Sequence, residues 1–222
     1  DWVIPIRDVI PSRTTPYVTI GLLLANACVF LLAPASGAAL DAFADAWGIV
    51  PVRFTLTSAL TALFVHAGAT HLLVDLLFLW IFGENVEDRL GHWRFLAFYV
   101  LCGLAAALLH AAVQPGSPVP AIGATGAIAG VLGAYLVLFP ESRVLTYVIL
   151  TLVEVPAVFL LVVWFTLHLL GGLGALPLLR SWDLGGLALP AHVGAFATGA
   201  ALVLLLRRPE RMRVEWWDRL AH

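Results

Sequence analysis

The chain carries three kinds of reactive side chain at matching places in its long apolar runs. His66, His71 and Asp75 share one run, Thr125 opens a second, and His192 stands near the start of a third. Titratable groups are costly at bilayer depth, so each of these is expected to face a cavity or a partner. A hydroxyl beside an imidazole suits nucleophilic attack on a carbonyl: the ring takes the hydroxyl proton and later returns it to the leaving group. The stretch Gly123-Ala124-Thr125-Gly126 supplies the hydroxyl and leads into the small-residue run Ala127–Ala134. The same histidines and Asp75 suit two other chemistries, a proton relay across the membrane and a metal centre. No His-Glu-x-x-His pattern is present, so the sequence leads to the expectation of no metal and no cofactor.

Spacing refines this set. His71 and Asp75 are four residues apart and share a helix face. On a continuous helix His66 is turned about 140° from His71, which points to a structural role near the site. Each residue also has a plain alternative. Thr125 suits a helix N-cap, His71 and Asp75 a structural hydrogen-bonded pair, and His192 a packing role. Glu84, Glu87, Asp88 and Arg89 read as a solvated helix end.

Elements that span a membrane must position these groups. Of the 222 residues, 61% are hydrophobic and only 12% charged, and the mean hydropathy is +0.97. A soluble domain of this length needs far more polar surface, and the unbroken apolar runs exclude the alternation of a β-barrel. The class is an all-α polytopic membrane protein. Six spans are expected, at Tyr17–Leu32, Ala59–Phe82, Phe95–Val113, Thr125–Leu138, Pro156–Leu170 and Leu187–Leu206. Some are shorter than the roughly 20 residues of a perpendicular span, which is tolerated where a helix begins inside the protein. Pro115, Gly116, Pro118 and Pro120 precede Thr125 and suit a loop that dips inward.

Six spans put both termini on one side. If that side is cytoplasmic, it holds ten of the twelve arginines, leaving only Arg53 and Arg180 outside, as the positive-inside rule requires. The expected organisation is a cytoplasmic segment over 1–16, a membrane domain over 17–206 and a basic cytoplasmic tail over 207–222. The connection Ala33–Ser58, with Asp41, Asp45 and Trp47, reads as a membrane-associated first loop. No cleavable signal peptide is expected, because Asp1, Arg7, Asp8 and Arg13 precede the first apolar run. Cys28 and Cys102 read as free packing thiols, and nothing suggests a nucleic-acid partner.

Under this topology spans two, four and six run in the same direction, so His66, His71, Asp75, Thr125 and His192 share the outer half of the membrane. Gly126, Gly130 and Ala134 in span four, and Ala191, Ala195 and Gly199 in span six, recur at every fourth position. Such small faces let backbones approach closely in lipid and would bring Thr125 towards His192.

These pieces together resemble the bacterial six-helix type of rhomboid intramembrane serine protease. The resemblance rests on Ile4-Pro5-Ile6-Arg7-Asp8 with Pro11, His66 with His71, Phe82-Gly83-Glu84-Asn85-Val86-Glu87-Asp88-Arg89-Leu90-Gly91, the Gly123–Ala134 run and Ala191-His192-Val193-Gly194. It covers nearly the whole chain in order. It implies a rhomboid-like six-helix bundle that cuts transmembrane segments of membrane proteins with a hydroxyl/histidine dyad. His192 matches the general base and acid, His71 the oxyanion histidine and His66 an upstream histidine, with Gly123 and Gly126 flanking the nucleophile. Two positions depart from the family. Thr125 stands where serine attacks, and Asp75 stands where asparagine helps to hold the oxyanion. Ala195 replaces a glycine often found in span six, a milder change.

The resemblance implies an endopeptidase slowed by Thr125, with the lipid bilayer and substrate helices as its partners and a bacterial inner membrane as its location. A pseudoprotease that binds transmembrane helices without cutting them is the first alternative. A small transporter or proton relay is the second.

Overall fold

In the computed structural model, which describes residues 3–10, 13–148, 151–172 and 189–207, apolar helices surround one buried helix. That central helix, α6, is Thr125–Leu138, and its residues from Thr125 to Tyr135 are all buried. A helix that is apolar on every face has no side to offer water, so it takes the middle of the bundle. Its neighbours are α4 (Ala69–Leu90), α5 (His92–Val113) and α8 (Leu189–Leu206). The outer elements are α1 (Tyr17–Leu32) and α7 (Ala157–Gly172).

Small residues set the spacing around α6. A Cβ at Gly199 of α8 would collide with the Gly130 carbonyl oxygen of α6, and one at Gly133 would collide with that of Phe196. These two helices therefore meet backbone to backbone, as their four-residue rhythm of small side chains predicts. On the other side, Cβ atoms added at Gly126 and Gly130 would meet Ala106 and Cys102 of α5. Aromatic rings fill the space below: Phe82 packs edge-on against Tyr135, ring centroids 4.8 Å apart, and Phe95, Phe98 and Tyr99 are fully buried. Cys28 and Cys102 are free thiols, as expected.

Helix α4 ends at Gly91, whose φ of +81° allows an abrupt turn into α5. The turn before it is not a solvated end. Glu87 is fully buried and accepts hydrogen bonds from the Val18 amide at 3.0 Å and from the Thr19 amide and hydroxyl at 2.7 Å each. A carboxylate on α4 thus serves the unpaired N–H groups that open α1. His92 Nδ1 adds a contact to Glu87 at 2.5 Å, Thr14 donates to Asp88 at 2.7 Å, and Arg89 lies over the Phe139 ring.

Two parts of the architecture differ from the sequence expectation. The chain is mostly helical but not all-α. Strands β1 (Val3–Asp8), β2 (Arg143–Val148) and β3 (Thr151–Pro156) form an antiparallel sheet in the order β1-β2-β3. Val3 pairs with Val148 and Asp8 with Val144, with a register irregularity between Pro5 and Arg7. The partners of β1 lie far along the chain, so local pattern gives no sign of the pairing. Tyr135 fastens the sheet to α6 by donating to Asp8 at 2.5 Å.

The expected second span is also broken. The chain forms α3 (Leu56–Thr61), a 3-10 turn at Ala62–Phe64 and a bend before α4 begins at Ala69. Only α4 and α5 are long and apolar enough to cross a membrane by length and composition among the described residues; Tyr17–Leu32, Thr125–Leu138, Ala157–Leu167 and Pro190–Leu206 are shorter apolar helices. The first loop holds α2 (Gly37–Trp47) and a 3-10 turn at Pro51–Arg53. Arg180 and the expected tail from Arg208 onward lie outside the described residues.

Candidate active site

The site forms where the start of α4 meets the start of α6. Gly68 is extended and α4 begins one residue later, which places His71 in its first turn and Asp75 one turn further along. Both face inward, with 4% and 2% of their surface exposed. Thr125 lies opposite at the first position of α6. The N-cap of that helix is Ala124, and no side chain caps it. The Thr125 hydroxyl therefore turns to α4 and away from its own backbone.

Thr125 Oγ1 lies 2.9 Å from His71 Nε2 and 3.2 and 3.0 Å from Asp75 Oδ1 and Oδ2. A hydroxyl has one proton to give. With Asp75 ionised, Thr125 donates to the carboxylate and accepts from His71 Nε2–H, which assigns that tautomer. His66 closes the network, its Nε2 lying 3.3 Å from Asp75 Oδ2. The His66 and His71 rings meet edge-on with centroids 5.1 Å apart. His66 is not turned away from this face, as it would be on a continuous helix, because it precedes α4. The bend before Ala69 swings its ring back over Asp75.

Two supports hold the loop that delivers Thr125. Ile49 and Ala121 exchange both backbone hydrogen bonds, at 2.9 and 2.8 Å, so the first loop braces the segment before α6. Gly123 then donates its N–H to the Ala62 carbonyl at 2.9 Å with a φ of +115°. A Cβ there would stand 2.7 Å from His71 Cε1 and 3.4 Å from Thr125 Oγ1. Glycine is required twice over, for its backbone angle and for the imidazole pressed against it.

His192 reaches the same place from α8. It is 5% exposed, packs beside Trp164 with ring centroids 5.9 Å apart, and lines a cavity of about 50 Å³ shared with Thr125, Gly123, Gly126 and His110. His71 and Asp75 thus meet Thr125 directly and His66 meets Asp75, while His192, Gly123 and Gly126 share the cavity wall with Thr125. The resting hydrogen bonds of the Thr125 hydroxyl go to α4, to His71 and Asp75. Sequence reasoning missed Trp164, His110 and the Ile49–Ala121 bridge. A tryptophan within an apolar helix and an isolated histidine carry no local mark of being near a site.

Chemically, the arrangement is a buried hydroxyl between an imidazole and a carboxyl, beside a small cavity lined by the His192 and His110 imidazoles. Metal ligands of the right type are also present, since His66, His71 and Asp75 each offer one donor atom within 4.8 Å of the others.

A family model described as the Rhomboid domain matches residues 53–209. The chain is 38% identical to the rhomboid protease GluP of Bacillus subtilis over 84 residues, 38% of this chain and 16% of that protein. It is 30% identical to the mitochondrial RHOMBOID-like protein 6 of Arabidopsis thaliana over 152 residues, 68% of this chain and 44% of that protein. A third relative, RHOMBOID-like protein 7 of Arabidopsis thaliana, is 29% identical over 187 residues, 84% of this chain and 53% of that protein. The matched segment thus spans under half the length of the first two relatives. The family match takes in α4, α6 and α8, the three helices that carry the site, and the chain belongs to the rhomboid family of intramembrane proteases.

Proposed function

We propose that this chain is a rhomboid-type endopeptidase that cuts transmembrane segments of membrane proteins, with Thr125 as nucleophile and His192 as general base and acid. One observation carries the reading: a buried hydroxyl at the start of the central helix is held by His71 and Asp75 on the wall of the cavity that His192 also lines. In the reaction His192 takes the proton as Oγ1 attacks the scissile carbonyl, and later gives it to the leaving amine. His71 Nε2–H, already aimed at the hydroxyl, turns its donor to the developing oxyanion. Asp75 helps only in its neutral, hydrogen-bond-donating form. His66 orients Asp75, while Gly123 and Gly126 keep the nucleophile's surroundings narrow.

Turnover on this reading is slow. The Thr125 proton points to Asp75 at rest, so the hydroxyl must turn towards His192 before attack. The β-methyl of threonine restricts that rotation, and a misplacement of about 1 Å costs on the order of 10²-fold. We further place six spans in a bacterial inner membrane with both termini cytoplasmic, the short helices being accommodated by starting inside the protein. Cysteine labelling at the loops of the intact chain tests that topology.

Cleavage of a transmembrane test substrate by the wild type, Thr125→Ser and Thr125→Ala tests the activity. The expected order is serine above threonine, with none in the alanine form. A second reading has its own support: a carboxylate that accepts the Thr125 hydrogen bond at rest also suits a pseudoprotease that holds helices without cutting them. Substrate binding with no cleavage in the wild type or the serine variant would establish that reading. The buried chain from His66 through Asp75 and Thr125 to His71 also suits a proton relay, for which liposome proton flux lost in Asp75→Asn is the test.

A further inference from the structure

We propose that His66, His71, Asp75 and the Thr125 hydroxyl form a zinc-binding site, and that occupancy switches the hydroxyl off. The consequence for catalysis rests on the reading of Thr125 as nucleophile; the binding itself does not.

The donor set comes first. His66, His71 and Asp75 are the only such group of three among the described residues, and all three are buried, at 1%, 4% and 2% exposure. Two imidazoles and one carboxylate are a donor set that zinc takes readily, with a fourth position left for an oxygen. Here the Thr125 hydroxyl stands in that position.

Distances support the geometry. Zinc bonds of about 2.0–2.1 Å at tetrahedral angles hold ligand atoms about 3.4 Å apart. His66 Nε2 to Asp75 Oδ2 is 3.3 Å and His71 Nε2 to Asp75 Oδ2 is 3.6 Å. Thr125 Oγ1 lies 3.0 Å from Asp75 Oδ2 and 2.9 Å from His71 Nε2. Four edges of the required tetrahedron are therefore already within about 0.5 Å of their zinc-bound length. Of the two other edges, both of which involve His66, the histidine–histidine one is at most 4.8 Å. It closes if the His66 ring, which sits on the bend before α4, swings inward.

The surroundings also suit an ion. His66 Nδ1 lies 3.4 Å from the Phe64 carbonyl oxygen, so with zinc on Nε2 the Nδ1–H has an acceptor that fixes the ring, as metal-bound histidines usually do. The cavity that reaches Gly123 and Thr125 offers a way in. Zinc would displace the protons now shared across this network and take the lone pairs of His71 and Asp75. The Thr125 oxygen would then be bound to the metal, and His71 could no longer donate to an oxyanion. Aspartate at position 75 is essential to the site, because an asparagine there removes the anionic ligand while keeping shape and hydrogen bonding.

The test uses the full chain in detergent after treatment with chelator. Zinc is titrated by calorimetry, and cobalt(II) serves as a visible-absorbance probe of four-coordinate binding. One zinc per chain is expected. Asp75→Asn and His66→Asn should each weaken it by at least about 100-fold, since even residues outside the ligand shell cost 10–100-fold. Thr125→Ser should keep the site. Unfolding midpoints measured in chelator confirm that the variants are folded, and zinc should raise the midpoint of the wild type and of Thr125→Ser but not of Asp75→Asn or His66→Asn. No zinc bound by the wild type, or unchanged affinity in folded Asp75→Asn, overturns the proposal. Cleavage that proceeds unaffected by zinc, with no binding, overturns it while leaving the protease reading intact. Binding that depends on Asp75 in a chain that never cleaves upholds the zinc site and removes the protease reading.

Discussion

Asp75→Asn separates the two roles that a carboxyl beside the proposed nucleophile can play. Asp75 Oδ2 lies 3.0 Å from Thr125 Oγ1, the proposed attacking oxygen, so an oxyanion formed two bonds beyond that atom lies about 4 Å from the carboxylate. Two unit charges at that distance repel by about 4 kcal/mol at an effective dielectric constant of about 20. At 1.36 kcal/mol for each factor of ten, the repulsion amounts to about 10³ in rate. Asparagine removes the charge and offers an N–H donor, a type of contact worth about 10²–10³ in turnover on its own. The two gains act on the same oxyanion and are not additive, so the expected increase in kcat/KM is about 10²–10³. The assay is cleavage of a transmembrane test substrate in detergent or liposomes with chelator present, followed by gel and mass spectrometry. Thr125→Ser/Asp75→Asn should be the fastest form. An unchanged rate in Asp75→Asn refutes the charge argument. Complete loss of a measurable wild-type activity refutes it more sharply, for it would make Asp75 the proton acceptor that the resting hydrogen bond suggests.

Three further outcomes are expected. Gly123→Ala forces a side chain onto a φ of +115° and onto the His71 ring; a left-handed backbone alone costs about 1–2 kcal/mol, so both cleavage and the unfolding midpoint should fall, and an unchanged enzyme would show that the loop is not held against His71. Glu87→Ala leaves three donors of Val18 and Thr19 without their acceptor, at about 1–3 kcal/mol for each buried one; a loss below about 1 kcal/mol in detergent unfolding would show that water replaces the carboxylate. Asp8 provides a pH signature. Burial raises its pKa above the ordinary 3.8, with the Tyr135, Ile10 and Asn85 hydrogen bonds opposing. The folded chain thus binds this proton more tightly than the unfolded one, so its contribution is fully present below pH 3.8 and declines as pH rises through the folded value. Unfolding free energies measured across acidic pH should show that decline in the wild type and lose it in Asp8→Asn.

The residues themselves reveal the membrane class, because no soluble domain of this length is so poor in charge. They also mark the buried hydroxyl, the His71–Asp75 pair and the small faces of α6 and α8, because a helix writes its neighbours into the sequence at three- and four-residue spacing. His66 shows where that reasoning ends. Its distance from His71 along a helix turns it away, and only the bend before Ala69 brings its ring to 3.3 Å from Asp75. Chain reversals of this kind depend on how the first loop packs, which includes the Ile49–Ala121 bridge to a segment some seventy residues away. The three-stranded sheet is hidden for the same reason, since β1 and β2 are separated by most of the chain. Glu87, polar and flanked by charges, reads as a solvated residue until α1 is seen to begin on top of it. The sequence determined which groups enter the membrane domain and which helix faces they share. The tertiary structure alone decided that the Thr125 hydroxyl donates to Asp75, because a hydrogen bond depends on tenths of an ångström between separate chain segments.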